Sequence, residues 1–468
     1  MLHRLRQVPL PLACLLGAAT FLACAWIVLM PPLQGPDEVS HFAYVQRIAE
    51  RHVIPWTPSG NGGGQPYSTE VGTALVQGGV GPLSRNIAAR PLWTRADERL
   101  WSRTAAGADR GDGGYTSAMR NPPLYYLYEL VPYGISSGGK FWDQALLMRF
   151  ANVPLFLIAL AFIWLLAGEL LGRGPLQYIA AATAALIPQL TNIVATVNPD
   201  IALVAEWSAA LYLMTLVMRR GPRRGLIVAL ALLLVAGGFT QPRSLPLVVP
   251  AAMAALLGLA RERGWRRVNP LTLGLGALLI GVPLVVALAA RGLGSVRQFG
   301  SYIWQFYLPK LGSMAPTIGP VHYDVRLGFV DRIFGTLAQL EVGLPPTIED
   351  VAWWVVRLGL VALLAALVIK RDAVRRNAGL AVVFLTAIWT LLASLHLVAY
   401  RAMLSSPGDP IITGRYLLPL IGLLGLAVAI VGSVLPRMAR AAYAGVVLAA
   451  GVAIQVVSLG LLLERFYA

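Results

Sequence analysis

At 468 residues, 57% hydrophobic and 13% charged, with a mean hydropathy of +0.66, the chain carries too much apolar surface and too little charge for a soluble protein of its size. Its net charge of +16 would suggest nucleic acid in a soluble domain, but much of the arginine sits in short clusters between apolar runs, the topology signal of polytopic inner-membrane proteins. Nucleic acid is therefore not expected as a partner. Cys14 and Cys24 lie too far apart along one helix for a disulfide, so redox chemistry is not indicated either.

Taking about 20 apolar residues per crossing, the sequence predicts an all-α membrane protein of about eleven spans in one integral-membrane domain. They begin at 9–30, 146–170, 176–196 and 199–218, and continue at 225–240, 243–259, 270–290, 351–369, 378–400, 414–434 and 441–462. Arg4 and Arg6 precede the first run as in a signal peptide, yet apolarity continues to Met30, which favours an uncleaved anchor. The fifth and sixth spans are short and read as a tilted hairpin or a broken pair.

Alternate connections carry the basic clusters: Arg219, Arg220, Arg223 and Arg224; then Arg261, Arg263, Arg266 and Arg267; then Lys370, Arg371, Arg375 and Arg376; then Arg437 and Arg440. The positive-inside rule makes that side and the N-terminus cytoplasmic. Two long loops, about 31–145 and 291–350, then face outward together with Asp37-Glu38, Asn198-Pro199-Asp200, Gln241-Pro242-Arg243 and Gly414-Arg415-Tyr416.

The first loop is too long to lack structure, so interfacial helices are expected in it. Phe42, Val45, Ile48 and Ala49 give Val39 to Arg51 a helical spacing, with Asp37 as its cap. Gly60 to Gly81 reads as a mobile glycine-rich segment, and Asn121 to Tyr128 as an aromatic girdle returning the chain to the bilayer. Ser301 to Lys310 is aromatic and nearly uncharged, which suits the membrane interface.

Asp37 and Glu38 carry the chemistry. Carboxylates after a proline are an ordinary helix start, but here they stand at a membrane exit with His41 one turn on. A positioned carboxylate can take the proton of an attacking hydroxyl, worth roughly 10²- to 10⁴-fold in rate, and Asp37 is the candidate base. Glu38 and His41 would orient it, bind the acceptor or help to ligate a cation. Asp200 and Asn198 are either a cap or a second polar contact for sugar hydroxyls, joined on that outer face by Gln305 and Tyr126. Arg415 and Tyr416 are either an interfacial anchor or the grip on a phosphate. Arg243, Arg149 and Lys310 are weaker candidates for the same grip. A divalent cation, Mg2+, Mn2+ or Ca2+, on Asp37, Glu38 and Asp200 is the one cofactor in view, although hard cations usually recruit more carboxylates than these. His322 and His396 lack evident ligand partners and read as packing residues. Walker, Ser/His/Asp and CxxC signatures are absent, which disfavours ATP hydrolysis and redox catalysis.

Taken as a set, Gly35-Pro36-Asp37-Glu38 with His41-Phe42-Ala43-Tyr44, Asn121-Pro122-Pro123-Leu124-Tyr125-Tyr126, Asn198-Pro199-Asp200, Trp304-Gln305-Phe306-Tyr307-Leu308-Pro309 and Gly414-Arg415-Tyr416-Leu417-Leu418-Pro419 resemble a bacterial family of polytopic membrane proteins. That family is similar to the GT-C glycosyltransferases, among them protein O-mannosyltransferases and lipid A aminoarabinose transferases. The resemblance implies a GT-C helical bundle, a polyprenyl-phosphate sugar as donor and inversion at the anomeric carbon, and the favoured reading is transfer to a cell-envelope acceptor. It carries the catalytic acidic position onto Asp37, a second acidic position onto Asp200 and the phosphate-contacting arginine onto Arg415. Relatives often carry a lysine before a proline where this chain reads Thr240-Gln241-Pro242-Arg243. The alternatives are a flippase or transporter of lipid-linked sugars, and an envelope polysaccharide polymerase or ligase using a diphosphate carrier. A transporter should keep its ionisable groups near the midplane, whereas these candidates gather at the outer interface.

Overall fold

An apolar run is stable across a bilayer only when each backbone N–H and C=O is bonded inside the structure, which selects helices. The computed structural model describes residues 8–57, 66–77, 99, 107–262, 296–308, 324–405 and 412–468. Among them the regular structure is helical, apart from an isolated bridge between Leu337 and Val342.

Helix α1 (Leu10–Leu29) is followed by the amphipathic α2 (Glu38–Arg51), then α3 (Thr69–Gln77), α4 (Leu124–Ile135) and the long α5 (Phe141–Leu171). The expected third span is divided into α6 (Pro175–Ala185) and α7 (Pro188–Val194). Pro188 lacks an N–H and holds Ile187 extended, at φ −78° and ψ 118°, so the helix cannot run through. The bundle continues with α8 (Asp200–Arg220) and α9 (Arg224–Thr240), and a 3-10 turn at Pro242–Leu247 leads directly into α10 (Val248–Glu262). Beyond these come α11 (Val296–Tyr307), α12 (Asp331–Gly335), α13 (Pro346–Ile369), α14 (Arg371–Arg376) and α15 (Ala378–Ser405). A second 3-10 turn, Gly414–Leu420, opens α16 (Ile421–Ser433), and α17 (Arg437–Tyr467) ends the chain.

Among the described residues eight helices are long and apolar enough to cross a membrane, where continuations through the two 3-10 turns count as one helix each. Helix α9 is a shorter apolar helix, and the expected span at 270–290 lies outside the described residues. The short fifth and sixth spans are thus α9 and the continuous stretch Pro242–Glu262. Of the glycine-rich stretch, residues 66–77 are described and contain α3, a helix where a mobile segment was expected. The aromatic girdle also differs: Tyr125 and Tyr126 are buried, and of the three tyrosines only Tyr128 is exposed. They turn inward because their hydroxyls find partners there, which lipid could not offer.

Helices α5 and α8 pack along each other, and α16 packs along α6. Arg219 and Arg220 at the end of α8 meet Glu169 at the end of α5, so the basic cluster lies at the opposite end of α8 from Asp200. The turn carrying Asp37, the head of α8, the end of α9 and the turn at Arg415 therefore share the other end.

That end is fixed by a buried ion pair. Glu38 is fully enclosed; Arg149 Nε donates to its Oε1 at 2.6 Å and Arg149 Nη2 to its Oε2 at 2.7 Å. The N–H groups of Val197 and Gly35 each donate to the same carboxylate at 3.1 Å. Arg149 also donates to the carbonyls of Met30 at 2.6 Å and Pro31 at 2.8 Å, so one guanidinium ties the end of α1 to the start of α2. Gly35 has no room for a side chain, because a Cβ there would come within 2.0 Å of Thr196.

Removing one partner of such a pair strands a buried charge, at a cost of about 3–5 kcal/mol. Arg149→Met is expected to lower stability by that amount in a detergent unfolding titration. A loss below ~1 kcal/mol would show that the pair does not anchor this end.

Candidate active site

Asp37 stands at the N-terminal boundary of α2 in the left-handed region, at φ 59° and ψ 10°, an uncommon conformation for a residue with a side chain. The conformation turns its carboxylate away from the helix, and it makes no capping hydrogen bond. The expected cap is thus not what this side chain does. Instead Arg415 Nη2 donates to Asp37 Oδ2 at 2.6 Å. The Asp37 side chain is 51% exposed and that of Arg415 8%, so the carboxylate stands at the edge of the site and the cation inside it.

Asn198 holds this turn against the head of α8. Its Nδ2 donates to the Pro36 carbonyl at 2.9 Å, its Oδ1 accepts the Asp200 N–H at 3.0 Å, and its own N–H donates to the Tyr125 hydroxyl at 2.9 Å. Asp200, the first residue of α8, is thereby held at the same end. Its Oδ1 accepts hydrogen bonds from Gln241 Nε2, at 3.0 Å, and from Arg243 Nη2. Its Oδ2 lies 3.9 Å from Arg415 Nε and has no hydrogen-bond partner. The Tyr416 ring sits between the two cations, with the guanidinium carbons of Arg243 at 4.2 Å and Arg415 at 5.1 Å from its centroid.

Five buried polar atoms in this group have no partner: Arg415 Nε and Nη1, Arg243 Nη1, Asp200 Oδ2 and Gln241 Oε1. Buried polar atoms are normally bonded, and here donors and acceptors left open stand side by side.

His41 is buried, and its Nδ1 lies 2.9 Å from the Tyr126 hydroxyl, which also accepts from Asn121 Nδ2 at 3.1 Å. With Asn121 donating to the phenol oxygen, the arrangement that also gives the buried phenol proton an acceptor has Tyr126 donating to His41 Nδ1. His41 is then the neutral tautomer with its proton on Nε2. Burial, opposed by Asp37 and Asp200 and reinforced by Arg415 and Arg243, lowers its pKa to about 4. Burial would raise the Asp37 pKa, but the charge of Arg415, with His41 and Arg243, outweighs it and holds the carboxyl below the usual carboxylate range.

The structure thus brings together Asp37, His41, Asp200, Asn198, Arg243, Arg415 and Tyr416. Glu38 and Arg149 are spent on each other below the Asp37 turn. Tyr126 is enclosed against Tyr44, with ring centroids 3.8 Å apart, and reaches the site through His41. Gln305 is buried on α11 beside Phe306, which packs on Phe329 and His396, and is in a separate aromatic cluster. His396 lies between two hydroxyls, Tyr302 at 3.0 Å and Tyr307 at 2.9 Å, which is the packing role expected of it. Lys310 and His322 lie outside the described residues.

Gln241, which has no assigned role in the sequence, joins the group through Asp200, and Glu206 lies behind it, bonded to Thr240 and Ser244. Gln241 was visible only as part of an outer turn. Glu206 had a signal, an acidic residue inside an apolar span, which is a mark of function in its own right.

For a divalent cation the donor set does not fit. Among the described residues no three His, Cys, Asp or Glu side chains form a metal-binding group. Asp37 and Asp200 both face Arg415, and the Glu38 oxygens already accept four hydrogen bonds.

A family profile described as "Predicted membrane protein (DUF2142)" matches residues 20–424. No curated protein matches the chain. Among solved structures it is similar to the archaeal oligosaccharyltransferase AglB from Archaeoglobus fulgidus in complex with an inhibitory peptide and a dolichol-phosphate, at 12% identity and a TM-score of 0.48, over 98% of this chain and 56% of that one. It is also similar to ArnT from Cupriavidus metallidurans bound to undecaprenyl phosphate, at 15% identity and a TM-score of 0.41, over 91% and 60%. The chain therefore spans little more than half the length of these proteins.

The histidine geometry makes a prediction independent of any activity. In a nitrogen-15 NMR titration His41 should stay neutral with its proton on Nε2 down to about pH 4, and Tyr126→Phe should abolish that tautomer preference. Titration near 6.5, or a proton resident on Nδ1, would contradict it.

Proposed function

The chain belongs to that family of membrane proteins, and we propose that it is a polyprenyl-phosphate-dependent glycosyltransferase of GT-C type, working on the extracytoplasmic face of a bacterial inner membrane with its N-terminus cytoplasmic. The observation that carries this reading is the mixed set of unpartnered buried atoms around the two arginines. A chloride or sulfate ion would satisfy only the donors. A sugar phosphate, whose phosphate oxygens accept and whose hydroxyls donate, satisfies both kinds.

In this reading Arg415 and Arg243 hold the donor phosphate, Asp200 Oδ2 and Gln241 Oε1 take hydroxyls of the sugar, and His41 offers a neutral Nε2–H. Asp37 is the general base. The acceptor hydroxyl attacks the anomeric carbon from the face opposite the phosphate, so configuration inverts, and its proton passes to the Asp37 carboxylate. The bond from the anomeric carbon to the phosphate oxygen breaks with its electrons on that oxygen, and polyprenyl phosphate leaves. No step needs a metal. Before reaction the two carboxylates balance the two guanidiniums. Once Asp37 holds a proton, one positive charge is left uncompensated as the leaving phosphate gains its second negative charge, which favours the transition state. Glu38 and Arg149 are assigned to holding the Asp37 turn, with Asn198 and Tyr126 positioning its neighbours.

Asp37→Asn is expected to lower transfer by roughly 10²- to 10⁴-fold in a protein that still folds and inserts; full activity with donor lipid would refute the base. Arg415→Ala should raise the donor concentration needed for half-maximal rate by roughly 30-fold or more, the worth of about 2 kcal/mol from a buried charge contact, and an unchanged dependence would retire it as the phosphate ligand.

The pH profile follows from the sign of the Asp37 shift. The base must be ionised, and its pKa is held below the ordinary carboxylate value, so kcat/KM should hold on acidification through the usual carboxylate range and fall only beneath it. Arg415→Ala removes the main lowering influence and leaves burial, so the acidic limb should move upward. A limb already near neutral pH in the unaltered protein would contradict the assignment.

A further inference from the structure

Helix α8 carries a second carboxylate, Glu206, roughly 9 Å along the helix from Asp200. An ionisable group inside a span is costly and is kept where it has work to do. Both oxygens of Glu206 are engaged: Thr240 Oγ1 donates to Oε1, and Ser244 Oγ donates to Oε2 at 3.2 Å. These hydroxyls bracket Gln241-Pro242-Arg243, the segment whose side chains both reach Asp200 Oδ1.

The turn itself packs against α15 and buries Ser244 and Leu247. Helix α9, which leads into it, buries only Leu230, Gly237 and Thr240. Gly237 lies against the clamp itself: a Cβ there would stand 2.9 Å from Ser244 Oγ and 3.2 Å from Glu206 Oε2. The α8 helix therefore grips the turn twice, through Asp200 on its side chains and through Glu206 on the residues before and after them.

We propose that Glu206 is a positioning residue of the donor site, setting Gln241 Oε1 and Arg243 Nη1 where a lipid-linked sugar phosphate meets them. This rests on the reading of Arg243 and Arg415 as the phosphate grip. Glu206 acts through the turn and touches no reacting atom, so its loss changes affinity for the donor and leaves the rate at saturating donor near that of the unaltered protein.

The test is binding of a radiolabelled polyprenyl phosphate to the full-length protein in nanodiscs, with donor KM and kcat measured beside it. Glu206→Ala should weaken binding roughly tenfold, the worth of one charge-assisted hydrogen bond, and raise KM by the same factor. Glu206→Gln, whose amide can accept from one hydroxyl and donate to the other, should restore most of it. In an Arg243→Ala background Glu206→Ala should cost nothing more in binding of this lipid, which carries no sugar for Gln241 to meet. Unchanged binding in Glu206→Ala where Arg243→Ala weakens it, or equal losses with and without Arg243, overturns the proposal and leaves the site reading intact. Unchanged binding in Arg243→Ala and Arg415→Ala overturns the site reading itself. If Glu206→Ala fails to insert, Ser244→Ala removes one of the two grips and is held to the same criteria.

Discussion

A buried guanidinium must be balanced where it sits, and that requirement organises one end of this molecule. Arg415 is paired with Asp37 from the first loop and lies 3.9 Å from Asp200 at the head of α8, residues far apart in sequence. Taking a cation out of water costs several kcal/mol unless its partners come with it. The turn before α2, the start of α8 and the start of Gly414–Leu420 are therefore drawn to one point. The pairing is incomplete, since Arg415 Nε and Nη1 remain unpartnered. A fully satisfied cluster would be only a strut, whereas one with open donors and acceptors has room in its bonding for a ligand.

Around this centre the chain spends other charges on holding still. Glu38 and Arg149 lock the loop after α1, Asn198 ties the Pro36 carbonyl to α8, and the Tyr126 hydroxyl holds His41 at Nδ1. The adjacent carboxylates Asp37 and Glu38 thus divide the labour. One is enclosed and saturated, and the other is half exposed, held in a left-handed turn and bound through one oxygen. Backbone strain of that sort persists where the surroundings over-determine it, and four hydrogen bonds to the neighbouring Glu38 supply the determination.

The all-helical membrane architecture was legible in composition and apolar run length, because a bilayer leaves few alternatives. The division of the third span was carried by Pro188 but hidden by the hydropathy of the residues around it. At the site, Asp37, Asp200 and Arg415 could be picked out from their place at span ends. Which of two neighbouring carboxylates turns inward could not, since that depends on Arg149, 111 residues later in the chain. The hydroxyls of Tyr125 and Tyr126 likewise decide burial by partners that no local pattern reveals, whereas aromatic composition alone points to the lipid interface. Glu206 lies inside an apolar span, away from the outer loops, and its role comes from hydroxyls on the neighbouring α9 and the turn after it.

The central claim is that the paired arginines hold the single phosphate of a lipid-linked sugar while Asp37 receives the proton of the acceptor. The most direct measurement is to incubate the purified protein with a panel of radiolabelled polyprenyl-phosphate sugars and envelope extract, and to identify the lipid that is released. The account predicts polyprenyl monophosphate, formed together with a glycosylated acceptor and dependent on the Asp37 carboxylate. Release of a polyprenyl diphosphate from diphosphate-linked donors, with none from the monophosphate panel, would contradict it.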